Sequence, residues 1–219
     1  MIKNIIFDFD GVLVDSEMLV ARSFSKYLGK RNINFTEQEF SVYAGKKTVQ
    51  VIDELSKKFS IQNKEEFFED IMSIANDIYS KELTAVNGAK VFLEQNYYNF
   101  LIGSNSVRKR ILFGLEKVKF ENFFDFNKVF SFDMVEKPKP QPDIYLAAIN
   151  VHQLDKNETV VIEDSAIGVQ AGVAAGVKVI GLTAGGHWYA DRSTKELLDA
   201  GAVVLANSYE SLLKEIKKL

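Results

Sequence analysis

Six short apolar runs punctuate the chain: IKNIIFDF at 2–9, NFLIGS at 99–104, KVFSF at 128–132, TVVIE at 159–163, VKVIGLT at 177–183 and AVVLA at 202–206. Each is short and rich in β-branched or aromatic residues, which suits a strand buried on both faces. Between most of them lie stretches with helical spacing, such as SVRKRILFGLEKV and DIYLAAINVH. Strands and helices that alternate in this way form βαβ units, whose crossovers make the strands parallel and cover the sheet with helices. The expected fold class is therefore α/β, a doubly wound parallel sheet. Ligands of such sheets bind at the carboxyl ends of the strands.

One interval departs from the alternation. From about 16 to 85 the chain shows helical patterns only: SEMLVARSFSKYLGKRN, TEQEFSVYA, KTVQVIDELSKKF and KEEFFEDIMSIANDIYSKEL. This is too long for one crossover helix and too ordered for a loop. The expected organisation is a core of residues 1–15 and 86–219 with a helical domain, 16–85, inserted after the first strand. The closing SLLKEIKKL reads as a terminal amphipathic helix.

Composition removes whole classes of function. A net charge of −3 with interspersed signs leaves no basic face for nucleic acid. Zero cysteines exclude disulfides, thiol catalysis and thiolate-bound zinc, and two histidines cannot make a histidine-rich metal site. No segment reaches the ~18 apolar residues of a membrane span, and the N-terminus lacks a cleavable leader pattern. The expectation is a monomer in the cytoplasm, with neither nucleic acid nor membrane as partner.

Polar residues interrupt the apolar runs at strand ends. Asp8 and Asp10 close the first run, Ser104 and Asn105 the second, Glu163 and Asp164 the fourth, so they converge on one edge of the sheet. Residues two apart on a strand share a side, which lets Asp8 and Asp10 address one centre while Phe9 packs the other way. Two carboxylates about 4 Å apart repel by about 4 kcal/mol at an effective dielectric near 20, and Glu163 with Asp164 adds to this. A hard divalent cation with oxygen ligands relieves it, and Mg²⁺, which combines a few carboxylates with water and phosphate oxygens, fits best. All three prolines fall in EKPKPQPDIY, at 138, 140 and 142. They stiffen the approach to a helix starting near Asp143 and can hold a lysine inward, Lys139 or its neighbour Lys137. Ser104, Asn105 and Ser106 precede a helix, where hydroxyls and free amides make a phosphate cradle. For Ser106, plain helix capping is the simpler expectation. In VIEDSAIGVQAG, Asp164 or Ser165 can serve as a cap, but one acid suffices for that, and the adjacent pair Glu163 and Asp164 after an apolar strand is left pointing to a site.

In order and spacing, FDFDGVLVDSE, LIGSNS, KPQPDIY and VVIEDSAIGVQAG resemble the four motifs of the haloacid dehalogenase superfamily, in its β-phosphoglucomutase-like and sugar-phosphatase branch. The resemblance implies a Rossmann-like core with a small four-helix cap inserted after the first motif, closing over the site. It implies that Asp8 is a nucleophile forming an aspartyl-phosphate, and that Asp10 is general acid and then base. By the same resemblance Mg²⁺ is held by Asp8, the Asp10 main-chain carbonyl and Asp164 with Glu163 close by, while Ser104 and Lys139 bind the transferring phosphoryl group. YAGKKT, 43–48, resembles the cap's specificity loop, where Lys46 or Lys47 would meet an anionic small-molecule substrate.

Departures from the pattern bear on the reaction. A mutase of this branch would carry a histidine in SEMLVARS, and position 20 is Val20. Hydrolysis of phosphorylated sugars or sugar acids is the expected activity, with phosphoglucomutase-type transfer as the alternative. A phosphorelay receiver domain is the competing reading from a non-enzyme class. It too gathers acids, a hydroxyl and a lysine at strand ends, but it pairs adjacent acids and has no helical insert. His187 and Trp188, in TAGGHWYAD after the fifth strand, are left outside the site because a loop aromatic more often packs than binds.

Overall fold

The computed structural model describes residues 1–43, 48–95, 98–188 and 192–219. Six strands make one sheet: β1 (Asn4–Phe7), β2 (Asn99–Ser104), β3 (Val129–Ser131), β4 (Thr159–Glu163), β5 (Lys178–Leu182) and β6 (Val204–Ala206). Every pairing is parallel and the order is β3-β2-β1-β4-β5-β6. This is the doubly wound, Rossmann-like α/β arrangement, and all six apolar runs are its strands. Strand order reverses between β1 and β4, which opens the crevice where such sheets bind ligands.

Register explains why the runs are apolar throughout. Ile6 lies opposite Leu101 and Val161, and Val161 opposite Val179. These side chains form one row on a single face, packed with Tyr145, Val169 and Ala171. Phe7 points to the other face, where its ring centroid lies 6.0, 5.8 and 6.3 Å from those of Phe92, Phe100 and Phe124. Covered on both sides, Ile5, Ile6 and Phe7 are fully buried, each contributing about 1.5–3 kcal/mol.

The helices are α1 (Glu17–Gly29), α2 (Glu37–Phe40), α3 (Thr48–Phe59), α4 (Lys64–Glu82), α5 (Ala89–Glu94), α6 (Arg108–Val118), α7 (Asp143–Val151), α8 (Ala166–Ala174), α9 (Lys195–Asp199) and α10 (Tyr209–Ile216). The chain divides into two compact units, 1–15 with 84–219, and 16–83. Thr84 and Ala85 fall in the first unit because the Asp15 amide donates to the Thr84 carbonyl at 2.9 Å and Val14 bridges Ala85. The second unit has its own core, built on aromatic residues. Tyr27 of α1 stacks on Phe67 of α4 with centroids 4.3 Å apart, and Phe24, Phe35, Phe40, Leu55 and Ile71 complete it. Among the described residues no helix is long and apolar enough to cross a membrane.

Candidate active site

β1 ends at Phe7, but its ladder continues for one residue, since the Asp8 amide donates to the Ile162 carbonyl at 2.9 Å. Asp8 is thereby held at the switch point beside the end of β4. Gly11 then turns the chain with φ +76°, a conformation that favours glycine. Space enforces the same choice, because a Cβ at Gly11 would lie 1.9 Å from Asp164 Oδ2.

Lys139 is the centre of the group. Its ammonium donates to Asp8 Oδ1 and to Glu163 Oε1, both at 2.6 Å, and all three side chains are buried. Asn105 keeps the lysine's loop in place: its side-chain amide accepts from the Lys139 N–H at 3.0 Å and donates to the Lys139 carbonyl at 3.2 Å. Tyr145 of α7 donates its hydroxyl to the same Glu163 oxygen at 2.9 Å, and the ammonium lies 4.7 Å from its ring centroid. Glu163 Oε2 accepts from the Asp164 and Ser165 amides and the Ser165 hydroxyl, at 3.0, 3.1 and 2.9 Å. Five donors thus fill the acceptor capacity of this carboxylate. Ser165 also caps α8 through the Gly168 amide at 3.2 Å.

Ligand oxygens of Asp8, Glu163 and Asp164 lie within 4.8 Å of one another. Burial pushes the Asp8 carboxyl well above the usual range, and repulsion from Glu163 and Asp164 opposes the pull of Lys139. Burial likewise raises Asp164, reinforced by Glu163. For Lys139 burial disfavours the charge, yet Asp8 and Glu163 outweigh it and hold the ammonium above its ordinary value. When ionised, three carboxylates against one ammonium leave two negative charges in a dry group. A divalent cation with oxygen ligands fits this donor set in charge and chemistry.

Asp10 occupies a different environment. Its Oδ2 accepts from the Ser106 hydroxyl at 2.5 Å, and Arg110 of α6 lies 3.6 Å from its Oδ1. Ser104, at the end of β2, is buried and its hydroxyl accepts from the Ser106 amide at 3.0 Å. Two aspartates two residues apart are thus held by separate partners, one by a buried lysine and the other by a serine.

A model of the family described as haloacid dehalogenase-like hydrolase matches residues 5–182. The chain belongs to this family. Among its relatives, a phosphorylated carbohydrates phosphatase from Thermotoga maritima is 29% identical in an alignment of 221 positions that covers 98% of this chain and 99% of that protein. Two solved haloacid dehalogenase-like structures cover all of the chain at 28% identity. A protein of unknown function from Agrobacterium tumefaciens matches with a TM-score of 0.90 over 99% of its length. A hydrolase from Deinococcus radiodurans with bound phosphate and sodium matches with 0.86 over 97%.

In this haloacid dehalogenase-like hydrolase the acids and the lysine read from the sequence come together at one sheet edge. Ser106 differs from expectation. It is not the cap of α6, whose N-cap residue is Val107; its hydroxyl turns to Asp10, and Asp133 receives the Arg108 amide at 3.1 Å instead. Asn105 directs its amide to the Lys139 main chain. Lys46 and Lys47 lie outside the described residues. Sequence reasoning missed Tyr145, Arg110 and Gly168, and it left outside the site His187, which the structure sets against Asp164. A helix-interior glycine was a usable signal for Gly168, since glycine there is disfavoured by about 1 kcal/mol without a packing reason. The reason is Glu163, whose Oε1 lies 1.7 Å from where a Cβ at Gly168 would stand.

Proposed function

We propose that this hydrolase is a Mg²⁺-dependent phosphomonoesterase for small phosphorylated metabolites, sugar phosphates or phosphorylated sugar acids, working through a phosphorylated Asp8. The observation that carries the reading is Lys139 bridging Asp8 and Glu163 at 2.6 Å beside Asp164, with Asp10 held apart by Ser106.

In the first step an Asp8 carboxylate oxygen attacks phosphorus while the bond to the leaving oxygen breaks, and Asp10 gives that oxygen its proton. In the second, Asp10 takes a proton from water, the water oxygen attacks phosphorus, and the bond to Asp8 breaks to release inorganic phosphate. Lys139 and Ser104 bind the phosphoryl group, and Lys139 keeps Asp8 aligned. Asp8, Asp164 and the Asp10 main-chain carbonyl would hold the Mg²⁺, which supplies charge neutralisation at the phosphoryl oxygens when bound. Glu163, saturated by its five donors, anchors Lys139. The carbohydrate-phosphatase relative that matches nearly end to end supports the substrate class.

The test is phosphate release from hexose phosphates, pentose phosphates, phosphogluconate and phosphoglycolate, with Mg²⁺ or chelator, for wild type and Asp8→Asn. Release that needs both Mg²⁺ and Asp8 is the expected result and ranks the substrates. No release from any of them would overturn the phosphatase reading and direct the assay to sugar phosphate isomerisation with a bisphosphate primer.

A further inference from the structure

The loop after β5 brings a histidine into the acid group. His187 is buried, and its Nε2 lies 3.0 Å from Asp164 Oδ2. The chain makes room for the ring with two glycines from separate loops. A Cβ at Gly11 would lie 2.9 Å from His187 Cε1, and one at Gly185 would lie 2.8 Å from both Cε1 and Nδ1. The loop is also tethered to the segment that carries Asp8 and Asp10, because the Gly186 amide donates to Asp15 Oδ1 at 3.1 Å. A turn closed by the Trp188 amide on the Gly185 carbonyl, at 3.1 Å, fixes the backbone around His187.

A carboxylate that binds a cation through one oxygen can rotate about its Cβ–Cγ bond unless the other oxygen is held. Partners of that kind govern metal affinity by a factor of about 10–100. Resting on the reading of Asp164 as a Mg²⁺ ligand, we propose that His187 is a positioning residue for the metal: its Nε2–H holds Asp164 Oδ2 and leaves Oδ1 to face the cation. On this assignment His187 has no part in proton transfer, and the glycines at 11 and 185 serve to admit its ring.

Calorimetric titration of Mg²⁺ into the folded protein without substrate tests this independently of turnover. His187→Met keeps comparable volume without the donor, and His187→Gln restores an N–H at similar reach. The expected result is a loss of Mg²⁺ affinity of about 10–100-fold in the Met variant, largely recovered in the Gln variant. At saturating Mg²⁺ the substrate KM stays as in wild type. Fluorescence of the single tryptophan, whose ring lies 5.6 Å from that of His187, follows the same titration and the fold of each variant. A Met variant that binds Mg²⁺ as wild type does would overturn the proposal, and so would a Gln variant as weak as the Met variant. Wild type that shows no Mg²⁺ binding would overturn the metal reading itself, a result distinct from either.

Discussion

The Ser106 hydroxyl donates to Asp10 Oδ2 at 2.5 Å, on the aspartate that stands outside the Lys139 group. The serine comes from the loop between β2 and α6 and the aspartate from the loop after β1, so the contact sets the direction of the Asp10 carboxyl from another part of the sheet edge. If Asp10 moves the proton, losing this donor lowers turnover more than binding. Ser106→Ala is expected to reduce kcat by about 10–100-fold, a fraction of what general acid–base catalysis contributes, with KM little changed. Stability should shift by only about 1 kcal/mol. Ser106→Thr, which keeps the hydroxyl, should retain most of kcat. An unchanged kcat in the Ala variant would remove Ser106 from the active site.

The buried acids set a pH dependence that the ion should erase. Asp8 and Asp164 are raised in the folded state, mainly by burial. A raised carboxylate contributes stability that is present below its unfolded value near 4 and is lost as pH rises through its folded value. Lys139 acts in a higher window: its raised ammonium contributes stability that fades only above the ordinary lysine range. Within the carboxylate window, and below that of the lysine, metal-free protein in chelator should melt at lower temperature as pH rises above about 4. Asp164→Asn should flatten that slope, and Mg²⁺ should do so in wild type by binding the ionised acids. Thermal melts at several pH values check this. A wild-type slope matching that of the variant would show that Asp164 does not carry it.

One substitution has opposite expected signs at two glycines. At Gly29, the last residue of α1, an added Cβ meets nothing within 4 Å. Gly29→Ala should stabilise the protein by about 0.4–1 kcal/mol through the unfolded chain. At Gly168 the helix-propensity gain is similar, about 1 kcal/mol, but the Cβ would occupy the position of the Glu163 carboxyl. Displacing Glu163 unseats Lys139, so Gly168→Ala should destabilise the protein and abolish phosphate release. Denaturant melts of the two variants decide it. A Gly168→Ala protein of wild-type stability and activity would mean that Glu163 has room to move.

What the sequence revealed and what it hid follow from range. Asp8, Asp10, Glu163, Asp164 and Lys139 were legible because each is a charge where local pattern calls for an apolar residue or a stiff turn. The six strands were legible because burial on both faces requires uninterrupted apolar runs. Helices α5 and α9, six and five residues long, are too brief for a 3.6-residue period to register. His187 was hidden for a different reason. It reaches Asp164 across 23 positions of sequence, and its only local marks were the glycines that admit its ring. Arg110 carried no mark in the sequence beyond its place in the helical pattern SVRKRILFGLEKV. Only the crossing from β2 into α6 beside β1 brings it to Asp10.

The Lys139 group also separates stability from catalysis. Lys139→Met leaves Asp8 and Glu163 buried without their cation, and breaking a buried pair from one side costs about 3–5 kcal/mol. Adding Glu163→Gln removes one of the stranded charges, although its single side-chain carbonyl can accept from either Tyr145 or the Asp164 and Ser165 amides and not from both. The double variant should therefore recover part of the lost stability. On the proposed mechanism it should not recover activity, because no ammonium would face the phosphoryl group and none would align Asp8. The two substitutions should be strongly non-additive in melting experiments, with a coupling of about 1–3 kcal/mol, and indistinguishable in phosphate release. Additive stabilities would show that Lys139 and Glu163 do not depend on each other. Activity returning in the double variant would mean that Lys139 acts only by neutralising Glu163.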